Sequence, residues 1–307
     1  MGKVLVIGAA TPNIIIELDH LPVTSESVPI KSQEMVVGGC PFNASEILHG
    51  LGEPYELFTP IGTGPYGDYI RDELARIGVV SRVPPTELEE GCCYCLVEPS
   101  GERSFICRFG AEFSARAEWF DVLDMDEFDF VYICGFEINQ PTGEVIVEFL
   151  EEHARDRTIF FAPGGLVDSL PVGLVERICD LHAIFHLNAR EVRIGAERFG
   201  GVCTGDVGEA SRALNRRTGN LVVATMGADG CWYETGSARG LVRGVHTDVV
   251  DTIGAGDSHV GTLMTYLHRG ASLEEALAKA NRVAARVVAT RGPHLSGAEL
   301  GRAVARE

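Results

Sequence analysis

Short apolar runs alternate with amphipathic stretches along most of this chain. Lys3-Val4-Leu5-Val6-Ile7 ends at Gly8 and has the continuous apolar character of a strand buried on both faces. Similar runs recur at Phe130-Val131-Tyr132-Ile133, Thr158-Ile159-Phe160-Phe161, Ala183-Ile184-Phe185-His186-Leu187 and Leu221-Val222-Val223-Ala224-Thr225. Between them, apolar residues return every three or four positions, as on one face of a helix. Ala44, Ile47, Leu48 and Leu51 follow this rule, as do Ile70, Leu74 and Ile77, and the segments 143–153 and 208–217. Near the C-terminus a stripe of Leu273, Ala276, Leu277, Ala280, Ala284, Val287 and Val288 follows Ser272-Leu273-Glu274-Glu275, which fits a capping box. Strands alternating with helices predict βαβ units, a mostly parallel sheet and helices on both of its faces.

Two regions interrupt the alternation. Ile14–Leu18 and Val28–Lys31 read as strands lying outside the parallel core. Cys92–Val97 and Arg103–Phe109 flank Pro99-Ser100-Gly101-Glu102 and read as a hairpin. Together the segments 14–37 and 91–109 are expected to form a small second sheet over one side. With no internal repeat or linker in view, the expectation is one α/β domain over residues 1–307.

The segment Asp251-Thr252-Ile253-Gly254-Ala255-Gly256-Asp257 concentrates the candidate chemistry. The β-like run Thr247–Val250 leads in, and a helical pattern carrying Val260, Leu263, Met264 and Leu267 leads out. Gly254, Ala255 and Gly256 let the backbone turn tightly and approach a ligand. The N–H groups of the first helical turn then form an anion site. Asp257 either caps that helix or takes a proton beside a bound anion.

Composition narrows the field. A net charge of -18 over 307 residues argues against a nucleic-acid or anionic-membrane surface. It leaves room for a phosphate ligand held by N–H groups and a metal ion. The opening apolar run is too short for a signal peptide, and no stretch reaches the length of a membrane span. A soluble cytoplasmic protein is therefore expected. Nine scattered cysteines, an odd number, point to free thiols rather than a disulfide framework, and the group Cys92, Cys93, Cys95 and Cys107 is read as thiols packed in the small sheet.

Further polar signals fall at strand ends, where open α/β sheets collect ligands. Asn188 and Glu191 stand one helical turn apart and could hold Mg²⁺ through water, or could simply start a helix. Thr225, Gly227 and Gly230 could meet a nucleotide phosphate or make an ordinary turn. Gly38 and Gly39 with Asn43 suit a polyol. Asn281 either reaches a nucleotide or faces solvent. The loop after the first strand lacks the GxGxxG spacing of a dinucleotide site, which counts against an NAD-dependent enzyme.

In their order, Gly-Gly-x-x-x-Asn near residue 40, Asn-x-x-Glu at 188–191, Thr-x-Gly-x-x-Gly at 225–230 and Asp-Thr-x-Gly-Ala-Gly-Asp at 251–257 resemble the PfkB, or ribokinase-like, carbohydrate kinase family. The resemblance spans effectively the whole chain. It implies a three-layer α-β-α fold with a mostly parallel sheet and a small β-sheet lid, using ATP and Mg²⁺ to phosphorylate an alcohol. By that resemblance Asp257 is the base. The amides of Gly254, Ala255 and Gly256 stabilise the transferred phosphoryl group. Asn188 and Glu191 organise Mg²⁺, while Thr225, Gly227, Gly230 and Asn281 line the nucleotide site. Gly38, Gly39 and Asn43 hold the acceptor. Asn13 stands closest to the place where family members carry an acidic residue. A monovalent cation, K⁺, is implied near Asp251 and the loop 292–296. The implied acceptor is a small sugar phosphorylated on a primary CH2OH; a nucleoside is the alternative, since Phe105, Phe109 and Phe136 could stack on a base. A non-catalytic nucleotide-binding regulator is a further alternative, disfavoured by the intact base and glycines. His259 stands where a phenylalanine is usual and is read as a packed side chain. Ala162-Pro163-Gly164-Gly165 replaces a more polar turn. A homodimer through the lid is expected, because the lid would otherwise expose a strand edge.

Overall fold

The structure, a computed structural model, describes residues 2–139 and 141–305. Twelve strands are formed among them: β1 Lys3–Ile7, β2 Thr11–Glu17, β3 Ser32–Gly38, β4 Tyr55–Phe58, β5 Cys92–Val97, β6 Arg103–Arg108, β7 Phe128–Cys134, β8 Thr158–Ala162, β9 Ile184–Asn188, β10 Val222–Thr225, β11 Gly230–Glu234 and β12 Arg239–Arg243. Eight of them make one sheet in the order β12-β11-β10-β9-β8-β7-β1-β4. From β10 to β4 every pairing is parallel, and at the far edge β11 alone runs the other way, antiparallel to both β10 and β12.

Why these segments are strands is visible in how their residues divide. Leu5 and Ile7 of β1 join one apolar cluster with Phe161 and Phe185. Val4 and Val6 join another with Tyr132 and Phe160. Successive side chains of a strand point to opposite faces, so the two clusters are the two sides of one sheet. The helix Thr142–His153 supplies Ile146, Val147 and Leu150 to the first side. The helix Ala255–His268 supplies Val260, Leu263 and Met264 to the second. The result is three layers, helix–sheet–helix, as the alternation predicts. The chain leaves β1 outward to β4 and later returns to β7 on β1's other side. Strand order therefore reverses at β1, the position where α/β sheets open a crevice at their carboxyl ends.

The remaining four strands form the second sheet, in the order β3-β2-β5-β6. The hairpin of β5 and β6 falls where expected, with Cys93 opposite Cys107. Two expectations need correction. The strand placed at Val28–Lys31 lies instead at Ser32–Gly38, paired with β2 from Glu17↔Ser32 to Thr11↔Gly38. Pro29 has no N–H to give a ladder, and the segment 23–31 is exposed loop apart from a half-covered Val28. Thr247–Val250 is not a strand either. Val249 and Val250 are exposed, and the N–H groups of Val250 and Asp251 bond Val288 O at a helix end rather than a neighbouring strand. The cysteine reading holds for Cys92 and Cys95, which are buried, but Cys93 is half-covered and Cys107 exposed.

Candidate active site

The glycine-rich segment folds as a turn that starts the helix Ala255–His268. Gly254 is the N-cap at φ 73°, ψ 1°, the left-handed region that a side chain resists. A Cβ there would also stand 2.4 Å from Pro293 Cβ, so this glycine is required twice over. The N–H of Ala255 makes a 3.3 Å turn bond to Thr252 O. Those of Gly256 and Asp257 have no acceptor among the described residues, as the first turn of a helix dictates. The side of Gly256 faces open space, so an anion could approach these donors.

Asp257 does not cap the helix, which has no side-chain cap. Its Oδ2 instead accepts a 2.8 Å hydrogen bond from Asn43 Nδ2, across from the helix Cys40–Gly50. Burial raises the Asp257 carboxyl to about 6; hydrogen bonds from Asn43 and Cys40 oppose the rise and the charge of Glu191 adds to it. Asn43 Oδ1 is buried with no partner among the described residues. A buried acceptor left open asks for a donor.

Two cavities meet at this turn. The first, of about 360 Å³, is lined by Asn13, Gly39, Asn43, Gly254 and Asp257 below and by the second sheet, including Phe105 and Cys107, above. The second, of about 400 Å³, is lined by Thr225, Gly227, Gly230, Ala255, Gly256 and Asn281. A smaller space of about 260 Å³ brings Asn188 and Glu191 together with Gly256 and Asp257. Gly254 and Asp257 thus face one cavity while Ala255 and Gly256 face the other.

The other expected residues take varied places. Gly38 contributes room rather than contact, because its missing Cβ would stand 2.1 Å from Asn13 Nδ2. Asn188 and Glu191 form a reciprocal capping box: Asn188 Oδ1 accepts from the N–H groups of Arg190 and Glu191, and Glu191 accepts from the Asn188 N–H (2.9 Å) and Nδ2 (2.7 Å). Burial lifts the Glu191 carboxyl above its ordinary value. Gly230 is held by packing, since a Cβ would stand 2.1 Å from Val242 O. Asn281 does not face solvent. Its Nδ2 donates to Val242 O and Arg243 O, and its Oδ1 lies 3.1 Å from His259 Nε2. His259 is buried and also 2.8 Å from His186 Nε2, the packed histidine expected.

Asp251 departs furthest from expectation. Oδ1 accepts from the Ile253 N–H and Oδ2 from the Gly292 N–H, both at 2.9 Å, while Arg103 of β6 stands 2.8 Å from Oδ2. Both oxygens thus accept an amide N–H, and the Arg103 guanidinium supplies positive charge beside Oδ2, where the resemblance implies a monovalent cation.

Reading the sequence also missed residues of the first cavity. Glu137 is buried at its base, accepts from the Ala9 N–H and the Cys134 thiol, and is pushed up by burial to about 7. Its position three residues past β7, at the carboxyl end of a buried strand, was the available signal. Phe113 and Glu112 follow the hairpin and carried none.

The site thus combines a helix N-terminus with free amides, a carboxylate raised by burial beside it and a cavity on either hand, all under a small sheet. The chain belongs to the pfkB family of carbohydrate kinases, whose model it matches over residues 1–299. It is a sugar or nucleoside kinase of that family. An uncharacterized sugar kinase of Escherichia coli, YegV, is 33% identical over 290 residues, covering 94% of this chain and 89% of its own. In fold the chain is similar to the ribokinase of Thermotoga maritima, at a TM-score of 0.86 and 19% identity over 100% of both chains. It is also similar to a Burkholderia thailandensis nucleoside kinase solved with inosine, at 0.79 and 18% over 98% of this chain and 96% of the other.

Proposed function

We propose that this enzyme transfers the terminal phosphoryl group of ATP to a hydroxyl, of the primary CH2OH type, on a small sugar held in the first cavity. One observation carries the reading: the turn 254–257 is the wall between two cavities, with Gly254 and the carboxylate-bearing Asp257 lining one and Ala255 and Gly256, at the helix start, lining the other. Phosphoryl transfer needs an acceptor and a donor aligned through one point, with charge neutralised there.

In this mechanism the acceptor hydroxyl lies against Asp257 and donates its proton to the carboxylate. The new O–P bond forms as the bond to the leaving phosphate of ATP breaks, and ADP departs from the second cavity. Asn43 keeps one carboxylate oxygen fixed, and its open Oδ1 is suited to accept from a second acceptor hydroxyl. The amides of Gly256 and Asp257 stabilise the oxygens of the moving group at no cost in reorganisation. Asn13 and Gly39 complete the acceptor site, while Thr225, Gly227 and Gly230 line the nucleotide site and Asn281 braces its wall.

Among the described residues no cluster of three or more His, Cys, Asp or Glu is placed to hold a metal directly. The nearness of Glu191 to Asp257, two carboxylates bordering one space, nonetheless suits a hard cation. Mg²⁺ would be held through water by Asn188 and Glu191, and when bound it supplies neutralising charge to the phosphates.

A nucleoside acceptor is the second reading, favoured by one feature. Phe105, Phe109, Phe113 and Phe136 all line the first cavity, more aromatic surface than a bare sugar would use. The open edges β3 and β6 of the lid sheet support the expected homodimer. Screening sugars and nucleosides by thermal shift with a non-hydrolysable ATP analogue, then following ADP release with each hit, tests the function. ATP binding with no acceptor increasing ADP release across both panels would reject it.

A further inference from the structure

The second sheet touches the loops around the helix start at several points, and one differs from the rest. Arg291 reaches Glu17 of β2 and Glu34 of β3, and His294 Nε2 lies 3.1 Å from Val37 O. The Arg291 pairs are largely exposed, the kind of ion pair that water and salt weaken. Arg103 and Asp251, at 2.8 Å, have side chains only 21% and 5% exposed.

The other bonds of Asp251 join two segments of the site. One oxygen holds the Ile253 N–H and the other the Gly292 N–H. The carboxylate therefore ties the turn carrying Gly254 to the loop carrying Pro293, the two segments that pack without room for a Cβ at 254. A carboxylate sealed this far from water needs a positive partner. Its partner comes from the first residue of β6, on the sheet that covers the acceptor cavity.

We infer that Arg103 is a positioning residue: when the small sheet covers the acceptor cavity, its guanidinium neutralises Asp251 and fixes the turn whose amides meet the phosphoryl group. Arg103 touches neither ligand and acts through Asp251. The set of the anion site is thereby made dependent on the covered state, so phosphoryl transfer to water is disfavoured while the acceptor cavity stands open. The same guanidinium fills the role that a monovalent cation would otherwise take at this carboxylate. This inference rests on the reading of 254–257 as the phosphoryl site.

The test compares wild type with Arg103→Met and Arg103→Lys in KCl and in choline chloride at equal ionic strength. Wild type should turn over at rates within about twofold in the two salts, and its melting temperature should be the same in both. Arg103→Met should lose kcat by about tenfold or more with KM for ATP within about twofold, because the turn is misplaced rather than the nucleotide released. Arg103→Lys should retain most of kcat by restoring the charge. Wild-type activity or melting temperature that rises with K⁺, or an Arg103→Met enzyme with wild-type kcat, would overturn the inference. The melting comparison needs no acceptor, so it still decides between guanidinium and bound cation if the kinase reading itself fails for lack of any substrate.

Discussion

The turn at 251–257 and the four-stranded sheet above it face each other across one cavity, yet they are built on opposite terms. The turn is fixed by short-range geometry. A left-handed glycine, a helix start and a carboxylate with two backbone N–H partners leave it little freedom. The sheet has few such constraints. The last four residues of β6 and the first four of β3 are exposed. Elements with so little buried apolar contact are the ones that open at low cost. In the proposed function, chemistry falls on the rigid side and choice of acceptor on the adaptable one, and each substitution below separates the two.

Replacing Asp257 by Asn has the largest expected effect. Turnover should fall by about 10²–10⁴-fold, the range for loss of a positioned general base, with ATP binding intact. Stability should move the other way. A carboxyl raised from 3.8 to about 6 makes the folded state bind more protons than the unfolded one between those values, so stability declines as pH rises through that window. The neutral amide avoids this. Its gain at pH 7–8 is at most on the order of 3 kcal/mol, reduced because the carboxyl borders a cavity that water enters, and it should shrink towards pH 4. Thermal unfolding of both proteins from pH 4 to 8 checks it; an equal melting temperature throughout would show that burial costs Asp257 nothing.

Gly254→Ala comes next and probes the backbone alone. The left-handed φ and the close approach of Pro293 predict a loss of stability of about 1–3 kcal/mol and a drop in kcat of roughly 10–100-fold through displaced amides. Chemical denaturation and steady-state rates measure both. A variant with unchanged kcat would remove the amides from the mechanism.

These two positions also show why the turn was legible in the sequence. Glycine, alanine and aspartate at fixed spacing encode conformation locally, and so do the buried strands, whose apolar runs survive any packing partner. The sheet above was half legible. β5 and β6 are joined by a short turn that sequence reveals, whereas β3 pairs with β2 across a 14-residue connection with no local signal, and it was misplaced by several residues. Asp251 was found but its partner was not. Arg103 lies 148 positions away in sequence, and no spacing links them. Asn188 and Glu191 were found with two readings open; the capping box is what the fold makes of them, with metal binding left to experiment.

The pH dependence of kcat/KM is a milder perturbation of the same carboxylate. Only ionised Asp257 can take a proton, so the rate should be half-maximal near pH 6 and about tenfold lower at pH 5. Glu137, pushed up to about 7 at the base of the acceptor cavity, titrates nearby and would broaden the curve. Asp257→Asn should flatten the limb near 6. If that limb persists in the variant, another group is the base.

The smallest effect is expected from the adaptable side, and it speaks to the acceptor. Phe109 stands just past β6, is 51% exposed and meets Phe113 edge-on at 4.9 Å between ring centres. An exposed ring adds little to folding, so Phe109→Ala should leave the melting temperature nearly unchanged. Stacking of one base on an aromatic side chain contributes about 1–3 kcal/mol. At the lower end, fitting a ring open to water on one side, its loss raises KM for a nucleoside about fivefold while kcat holds within about twofold. For a bare sugar, which carries no base to stack on the ring, neither constant should move. The ratio of the two KM changes, measured in one variant with one nucleoside and its parent sugar, therefore reports which molecule the upper sheet is shaped to cover. It does so without touching the turn to which the transfer is assigned in the proposed function.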